Sequence, residues 1–226
     1  MIVAVIPILR RSLLVPYTLR RLNKIVDKVI CVVENQEDRF ICTKGGAFTV
    51  SCPGVPLGEK WNVGFLEAKQ FDPDFVLYMG SSDWVSDNYL DVMLPIAQDY
   101  EITGVLDFHL LHLEYKDDNK LISRNVKHWK GYENHRRGEP IGGGRLVRRD
   151  YLDRVKWSPF DPELLMNLDY SMITKTKNFK GIMSDEAQSM AVSTSLWSNK
   201  HEFNGEEVKD GDKYLTKWFP EGLKLF

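Results

Sequence analysis

The chain has 226 residues, 43% of them hydrophobic and 27% charged, with a formal net charge of −2. That is enough apolar material for a folded core, which excludes a disordered chain, and the near-neutral balance excludes a globally basic nucleic-acid binder. Cys31, Cys42 and Cys52 cannot all pair with one another, and no close Cys/His cluster has zinc-ligand spacing, so they read as buried reduced thiols of a cytoplasmic protein.

Residues 2–7 (IVAVIP) form a short apolar, β-branched run, the pattern of a buried parallel strand. Arg10 and Arg11 then interrupt the apolar stretch, and no small-residue cleavage site follows, so it reads as part of the fold and not as a secretory leader. No run approaches the ~20 apolar residues that span a bilayer. Ser12 opens a helix-like stretch with Pro16 in its first turn or so, and residues 28–33 (KVICVV) form a second buried strand. Residues 39–52 read as one or two short strands around Gly45-Gly46.

Residues 58–70 carry Trp61, Phe65, Leu66 and Ala68 on roughly one side of a helix. A third buried strand at 75–79 ends in Gly80-Ser81-Ser82-Asp83, and a helix follows over roughly 88–98, capped by Ser86 or Asp87. Residues 102–115 and 120–126 suggest an antiparallel pair of strands. The alternation of short strands and helices predicts a mostly parallel α/β sheet, in which ligands bind at the carboxyl ends of the strands. Those ends are Pro7-Ile8, Glu34-Asn35 and Ser81-Ser82-Asp83, and two of the three bear carboxylates.

Several chemistries lack their motif. There is no P-loop, no G-x-G-x-x-G after the first strand, no G-x-S-x-G elbow and no H-E-x-x-H. His109 and His112 are three apart on a strand and face opposite sides, so they do not share an ion. Asp83 is open to two readings, a turn aspartate ahead of a helix or a ligand to a hard divalent ion whose other ligands come from diphosphate oxygens. Asp169, in ELLMNLDYSM, is either a partly buried structural acid or a partly desolvated general base. Gly142-Gly143-Gly144 is a turn or a place where backbone approaches a ligand.

The stretch from Arg124 to Arg149 holds eight Lys/Arg and two acids, a net +6 in a chain of net −2. It interleaves Trp129 and Tyr132 with basic residues, the composition of a nucleic-acid groove. The alternatives are binding of a donor diphosphate and a solvated loop.

Taken as a set, VIPILRRSLLVPYTLRRL, KVICVVEN, EKWNVGFLEAKQFDPDFVLYMGSSDW, GGGRLVRRDYL and WSPFDPELLMNLDYSM resemble the GT-A glycosyltransferases, especially the family-2-like branch, to about residue 201. The resemblance implies an α/β GT-A (Rossmann-like) fold with a mixed, mostly parallel central sheet flanked by helices. It implies one domain over 1–226, with a nucleotide-sugar half (1–100), an acceptor and catalytic half (101–201) and a C-terminal extension (202–226). Pro7 and Glu34 would border the nucleobase, and Lys60 and Asn62 would approach base, ribose or diphosphate. Ser81-Ser82-Asp83 occupies the D-x-D position, with Ser81 replacing the first acid and Asp83 retained as ligand to Mn²⁺ or Mg²⁺. His201 lies where some members supply a further metal ligand. Leu168-Asp169 stands at the Glu-Asp position, with Asp169 as the base of an inverting displacement. Trp129, Gly143, Gly144, Arg145 and Arg149 would face the acceptor or the diphosphate. The expected donor is a UDP-sugar. Some phage glycosyltransferases of related shape modify hydroxymethylated DNA bases, which makes nucleic acid an alternative acceptor. A third reading is an inactive module that only binds a nucleotide or a partner; the loss of acids at Ser81 and Leu168 favours it, and the retention of Asp83 and Asp169 together argues against it. The tail from Asp210 reads as a helix that caps the domain or makes a dimer contact.

Overall fold

Five of the six residues in IVAVIP are buried, as expected of a strand covered on both faces. This strand, β1 (Ile2–Pro7), lies inside a seven-stranded sheet. A computed structural model of the chain describes residues 1–8, 13–115, 121–194, 205–220 and 223. In chain order β1 is followed by α1 (Val15–Ile25), β2 (Lys28–Val33), α2 (Gln36–Lys44), β3 (Phe48–Ser51), α3 (Leu57–Ala68), β4 (Phe75–Tyr78) and β5 (Asp83–Val85). Then come α4 (Tyr89–Ala97), β6 (Ile102–Val105), β7 (Phe108–Tyr115), β8 (Leu121–Trp129), β9 (Arg145–Arg148), α5 (Arg149–Arg154) and α6 (Leu168–Ile173). The chain closes with β10 (Phe179–Ile182), β11 (Ser189–Thr194), β12 (Glu206–Glu207) and α7 (Gly211–Trp218).

The large sheet has the order β10-β6-β9-β4-β1-β2-β3. All its strands run parallel except β9, which is antiparallel to both neighbours, β4 and β6. Helices cover both faces. Val15, Leu19 and Leu22 of α1, Cys42 of α2, and Leu90 and Met93 of α4 pack with Ala4 and Ile6 on one side. Trp61 and Phe65 of α3, Leu152 of α5 and Met172 of α6 pack with Val3 and Val5 on the other. Helix α3 comes close to the sheet because Gly64 has no side chain. A Cβ there would sit 2.5 Å from Val5 and 2.7 Å from Val32. This is the GT-A (Rossmann-like) mixed α/β architecture expected from the sequence.

A second sheet, β12-β8-β7-β11-β5, stands beside the first. Phe108 and Leu110 of β7 join the apolar cluster that includes Ala4 and Ile6. Helix α7 buries Leu215, and Phe219 follows it into a cluster with Leu14 and Trp84. The tail therefore packs against the second sheet and α1.

Several sequence expectations need correction. Residues 36–44 are a helix and only 48–51 a strand. Asn35 starts that helix, its side-chain oxygen accepting the Asp38 N–H at 2.8 Å. The first helix begins at Val15, and Ser12 lies outside the described residues. Neither Ser86 nor Asp87 caps α4. Ser86 instead accepts the Gln188 N–H at 3.0 Å. Leu66 is exposed, away from the buried face of α3. The run 102–115 is two strands that break at Leu106-Asp107 and enter different sheets. All three cysteines are buried and unpaired. No helix among the described residues is long and apolar enough to cross a membrane.

Candidate active site

Strand β4 delivers the chain to a tight turn at the carboxyl edge of the sheet. Asp83 closes that turn. Its Oδ2 accepts the Gly80 N–H at 2.9 Å, and its own N–H donates to the Gly80 carbonyl at 3.1 Å. The turn is anchored from two directions. Thr18 of α1 donates to the Ser81 carbonyl at 3.1 Å, and the Val192 N–H of β11 donates to the Ser82 carbonyl at 2.8 Å. Trp84 donates to Thr18 at 3.1 Å, and the buried Arg21 donates to the Val85 carbonyl at 3.0 Å and to Asp87 at 2.7 Å. The buried edge of α1 and strand β11 thus hold the turn that carries Ser81, Ser82 and Asp83.

Asp169 is the second residue of α6. Tyr132 donates to its Oδ2 at 2.6 Å and Tyr78 to its Oδ1 at 3.3 Å. Burial first, and then the Asp169 charge, push both phenols well above the usual tyrosine range, so both remain protonated donors. Arg145 donates to the Asp169 carbonyl at 2.7 Å and so fixes the start of α6 from β9. Trp129 packs edge-on against Tyr132, with ring centroids 5.0 Å apart, and the Arg136 guanidinium lies over the Tyr132 ring at 3.6 Å.

The glycine run joins the two carboxylates. A Cβ on Gly142 would stand 2.5 Å from Asp169 Oδ1, and one on Gly143 would stand 3.0 Å from Asp83 Oδ2. Consecutive residues of one turn therefore lie against the two acids, and a side chain at the first would displace the Asp169 carboxylate. Gly144 takes φ +93°, the left-handed region that glycine favours. Its N–H donates to the Tyr78 carbonyl at 3.0 Å, and its carbonyl accepts the Tyr89 hydroxyl at 2.7 Å. Ser189 donates to the Gly143 carbonyl at 3.0 Å.

The remaining candidate residues divide. Pro7 ends β1 and Glu34 follows β2, both at the same sheet edge as Asp83. The nearly inaccessible Lys60 forms an ion pair with Glu34, so its ammonium reaches this edge. Asn62 bonds within the fold. Its amide clamps the backbone of Phe160, accepting the N–H at 3.0 Å and donating to the carbonyl at 3.1 Å. Arg145 is fully buried and gives its guanidinium to the carbonyls of Pro140, Ile141 and Asp169. Arg149 lies at the opposite edge. Its N–H bonds Asp74, just before β4, and its side chain pairs with Asp72 and Asp153. His201 lies outside the described residues.

The basic segment is largely neutralised internally. Arg124 pairs with Asp212, Lys130 with Glu206, Arg136 with Glu139 and Arg148 with Asp150. Arg149 is ion-paired as well, whereas Arg145 bonds only carbonyls, and neither Lys127 nor Arg137 has an ion-pair partner among the described residues. His109 stacks on His128 and Tyr214, whereas His112 bonds Ser193, in keeping with opposite faces of β7.

Sequence reasoning missed Tyr78, Thr18 and Arg21, and read Tyr132 only as an aromatic of the basic stretch. The available signals were a polar tip near the end of the apolar strand FVLYM and two polar residues on the apolar side of α1.

No protein-family model matches the sequence, and comparison with curated proteins finds no match. Solved structures share its fold. The mannosyltransferase PcManGT from Pyrobaculum calidifontis, in complex with GDP-Man and Mn²⁺, is similar with a TM-score of 0.57 and 10% identity over 85% of this chain. TarS from S. aureus (1–349) is similar with a TM-score of 0.54 and 16% identity over 84% of this chain. The chain spans 56% of the first protein's length and 60% of the second's.

Proposed function

We propose that the protein transfers a sugar from a nucleotide sugar to an acceptor hydroxyl, with metal assistance and inversion of configuration. One observation carries this reading: Asp83 and Asp169, distant in sequence, lie against consecutive residues of one glycine turn at the carboxyl edge of a GT-A sheet. The likeness to a mannosyltransferase seen with GDP-Man and Mn²⁺ supports it.

The donor set suits a hard divalent ion. Asp83 offers carboxylate oxygens beside Gly80 and Gly143, where a Cβ would crowd its Oδ2 at 2.5 and 3.0 Å. No group of three His, Cys, Asp or Glu among the described residues forms a complete metal cage. A site with one protein carboxylate relies on diphosphate oxygens and water for its other ligands, as Mn²⁺ or Mg²⁺ sites on nucleotides do. When bound, such an ion supplies charge neutralisation at the departing diphosphate.

Pro7, Glu34 and Lys60 border the space for the nucleoside, and Ser81 offers only a hydroxyl where the family has an acid. Tyr132 and Tyr78 orient the Asp169 carboxylate. Asp169 takes the proton of the acceptor hydroxyl as its oxygen bonds the anomeric carbon. The bond from that carbon to the diphosphate oxygen breaks, and its electron pair leaves with the nucleoside diphosphate. A single displacement with one base inverts the anomeric centre.

A thermal-shift panel of nucleoside diphosphates and nucleotide sugars, UDP-sugars first, with and without Mn²⁺, tests donor binding. Asp83→Asn is expected to abolish the Mn²⁺-dependent part of the shift. Asp169→Asn is expected to retain binding and lose turnover, and full turnover in that variant refutes the base. Binding without turnover in the unaltered protein identifies an inactive module instead.

A further inference from the structure

The strand order sets out a sequence of places along the carboxyl edge. Glu34 stands at β2, Pro7 at β1, Asp83 beyond β4, the glycine turn at the start of β9, then Leu106 beyond β6 and Met183 beyond β10. A cavity of about 550 Å³ opens at this last position, between the 130–139 segment and Met183. That volume is typical of small-molecule sites, about 300–1,000 Å³. Tyr132 lines the cavity and also bonds Asp169 at 2.6 Å, so the cavity adjoins the proposed base on the side away from Glu34 and Pro7.

The lining has a definite chemical character. Leu106 and the half-exposed Met183 supply apolar wall. Of the charged residues, Lys130 is paired with Glu206 at 2.6 Å and Glu139 with Arg136 at 2.8 Å. Glu133 and Arg137 also line the cavity, without ion-pair partners among the described residues. The cavity thus offers one acceptor-only group, one donor-only group and no net charge. An anion would meet Glu133 as well as Arg137. A neutral ring with several hydroxyls would donate to the carboxylate, accept from the guanidinium and lay its C–H face on Met183.

We infer that this cavity is the acceptor subsite and that it holds a neutral sugar or polyol unit. The assignment rests on the transferase reading and gives it a substrate class. The internal pairing of the basic segment points the same way, because it leaves little free positive charge for a polyanion.

The test uses ¹⁵N-labelled protein and assigned glycine amides. Methyl α-mannoside, methyl β-glucoside and methyl β-galactoside are titrated separately, beside glycerol 3-phosphate and a thymidine oligonucleotide. At least one glycoside is expected to move the Gly131 and Gly138 signals, and Glu133→Gln is expected to weaken that binding about tenfold. Met183→Arg, which fills the cavity, is expected to abolish it. Stronger perturbation of these signals by the phosphate or the oligonucleotide overturns the inference, as does the absence of any glycoside effect. UDP and GDP with Mn²⁺, titrated in parallel, report on the Gly80 and Gly143 signals. Their failure to bind strikes the donor reading alone, because glycoside binding needs no transfer.

Discussion

Replacing Gly142 by Ala separates geometry from stability at the proposed site. The added Cβ would stand 2.5 Å from Asp169 Oδ1 and 2.8 Å from both Cγ and Oδ2. Ordinary contact begins near 3.4 Å, so the carboxylate must retreat by roughly 0.9 Å or the turn must open by the same amount. Gly142 is not among the positive-φ glycines, so alanine brings no backbone strain of its own. The carboxylate is the end of a side chain and can rotate away. Rotation breaks its bonds to Tyr132 and Tyr78 but leaves the core untouched. A displacement of about 1 Å at a reacting group costs about 10²-fold in rate. The expected result is a fall of about that size in nucleoside diphosphate release, with a melting temperature within roughly 4 °C of the parent. Unaltered turnover in the folded variant refutes the claim that the glycine turn seats Asp169. A collapse in melting temperature refutes the claim that its role is local.

Three further outcomes follow from contacts already described. Tyr132→Phe removes the 2.6 Å bond to Asp169, and turnover is expected to drop about tenfold with nucleotide binding unchanged in calorimetry; unchanged turnover denies Tyr132 a positioning role. Asn62→Ala leaves the buried N–H and carbonyl of Phe160 unpaired, and urea unfolding should show a loss of about 2–4 kcal/mol; a loss of nucleotide affinity at full stability restores the sequence-based assignment. Burial first, and then the His128 charge, lower the His109 pKa to about 4, below the value near 6.5 of an unfolded histidine. Between those values the unfolded chain holds the extra proton. The His109 contribution is therefore complete above about pH 6.5 and lost as pH falls toward 4, on the order of 3 kcal/mol, and unfolding of His109→Phe at pH 7 and pH 5 should show a flatter dependence.

The parallel half of the sheet was legible because β1, β2 and β4 are short apolar runs buried on both faces, and that pattern survives in sequence alone. Asp83 and Asp169 were also legible, as acids at a strand end and among apolar residues. The failures have identifiable causes. Residues 36–44 alternate weakly, and the cap at Asn35 outweighed a strand-like reading of Phe40, Ile41 and Cys42. The surroundings of Arg145, Arg149 and Asn62, whose roles toward a ligand remain assignments of the resemblance, were not legible either. Sequence does not reveal that carbonyls of a neighbouring loop absorb Arg145, or that β9 runs backwards and carries Arg149 to the far edge. Tyr132 was legible only as an aromatic among cations, because its partner lies 37 residues away.

The reversed strand has one more consequence. Strands β4 and β6 are joined in the sheet only through β9, and the glycine turn is the tip of that strand. If β9 detached, the sheet would part into a β4-β1-β2-β3 piece and a β10-β6 piece, with Asp83 at the edge of the first and the cavity at the edge of the second. Asp169, bonded by Tyr78 of β4, would stay with the first piece but lose the Arg145 contact that fixes the start of α6. Joining the two pieces of the sheet and completing the contacts around Asp169 are thus one event.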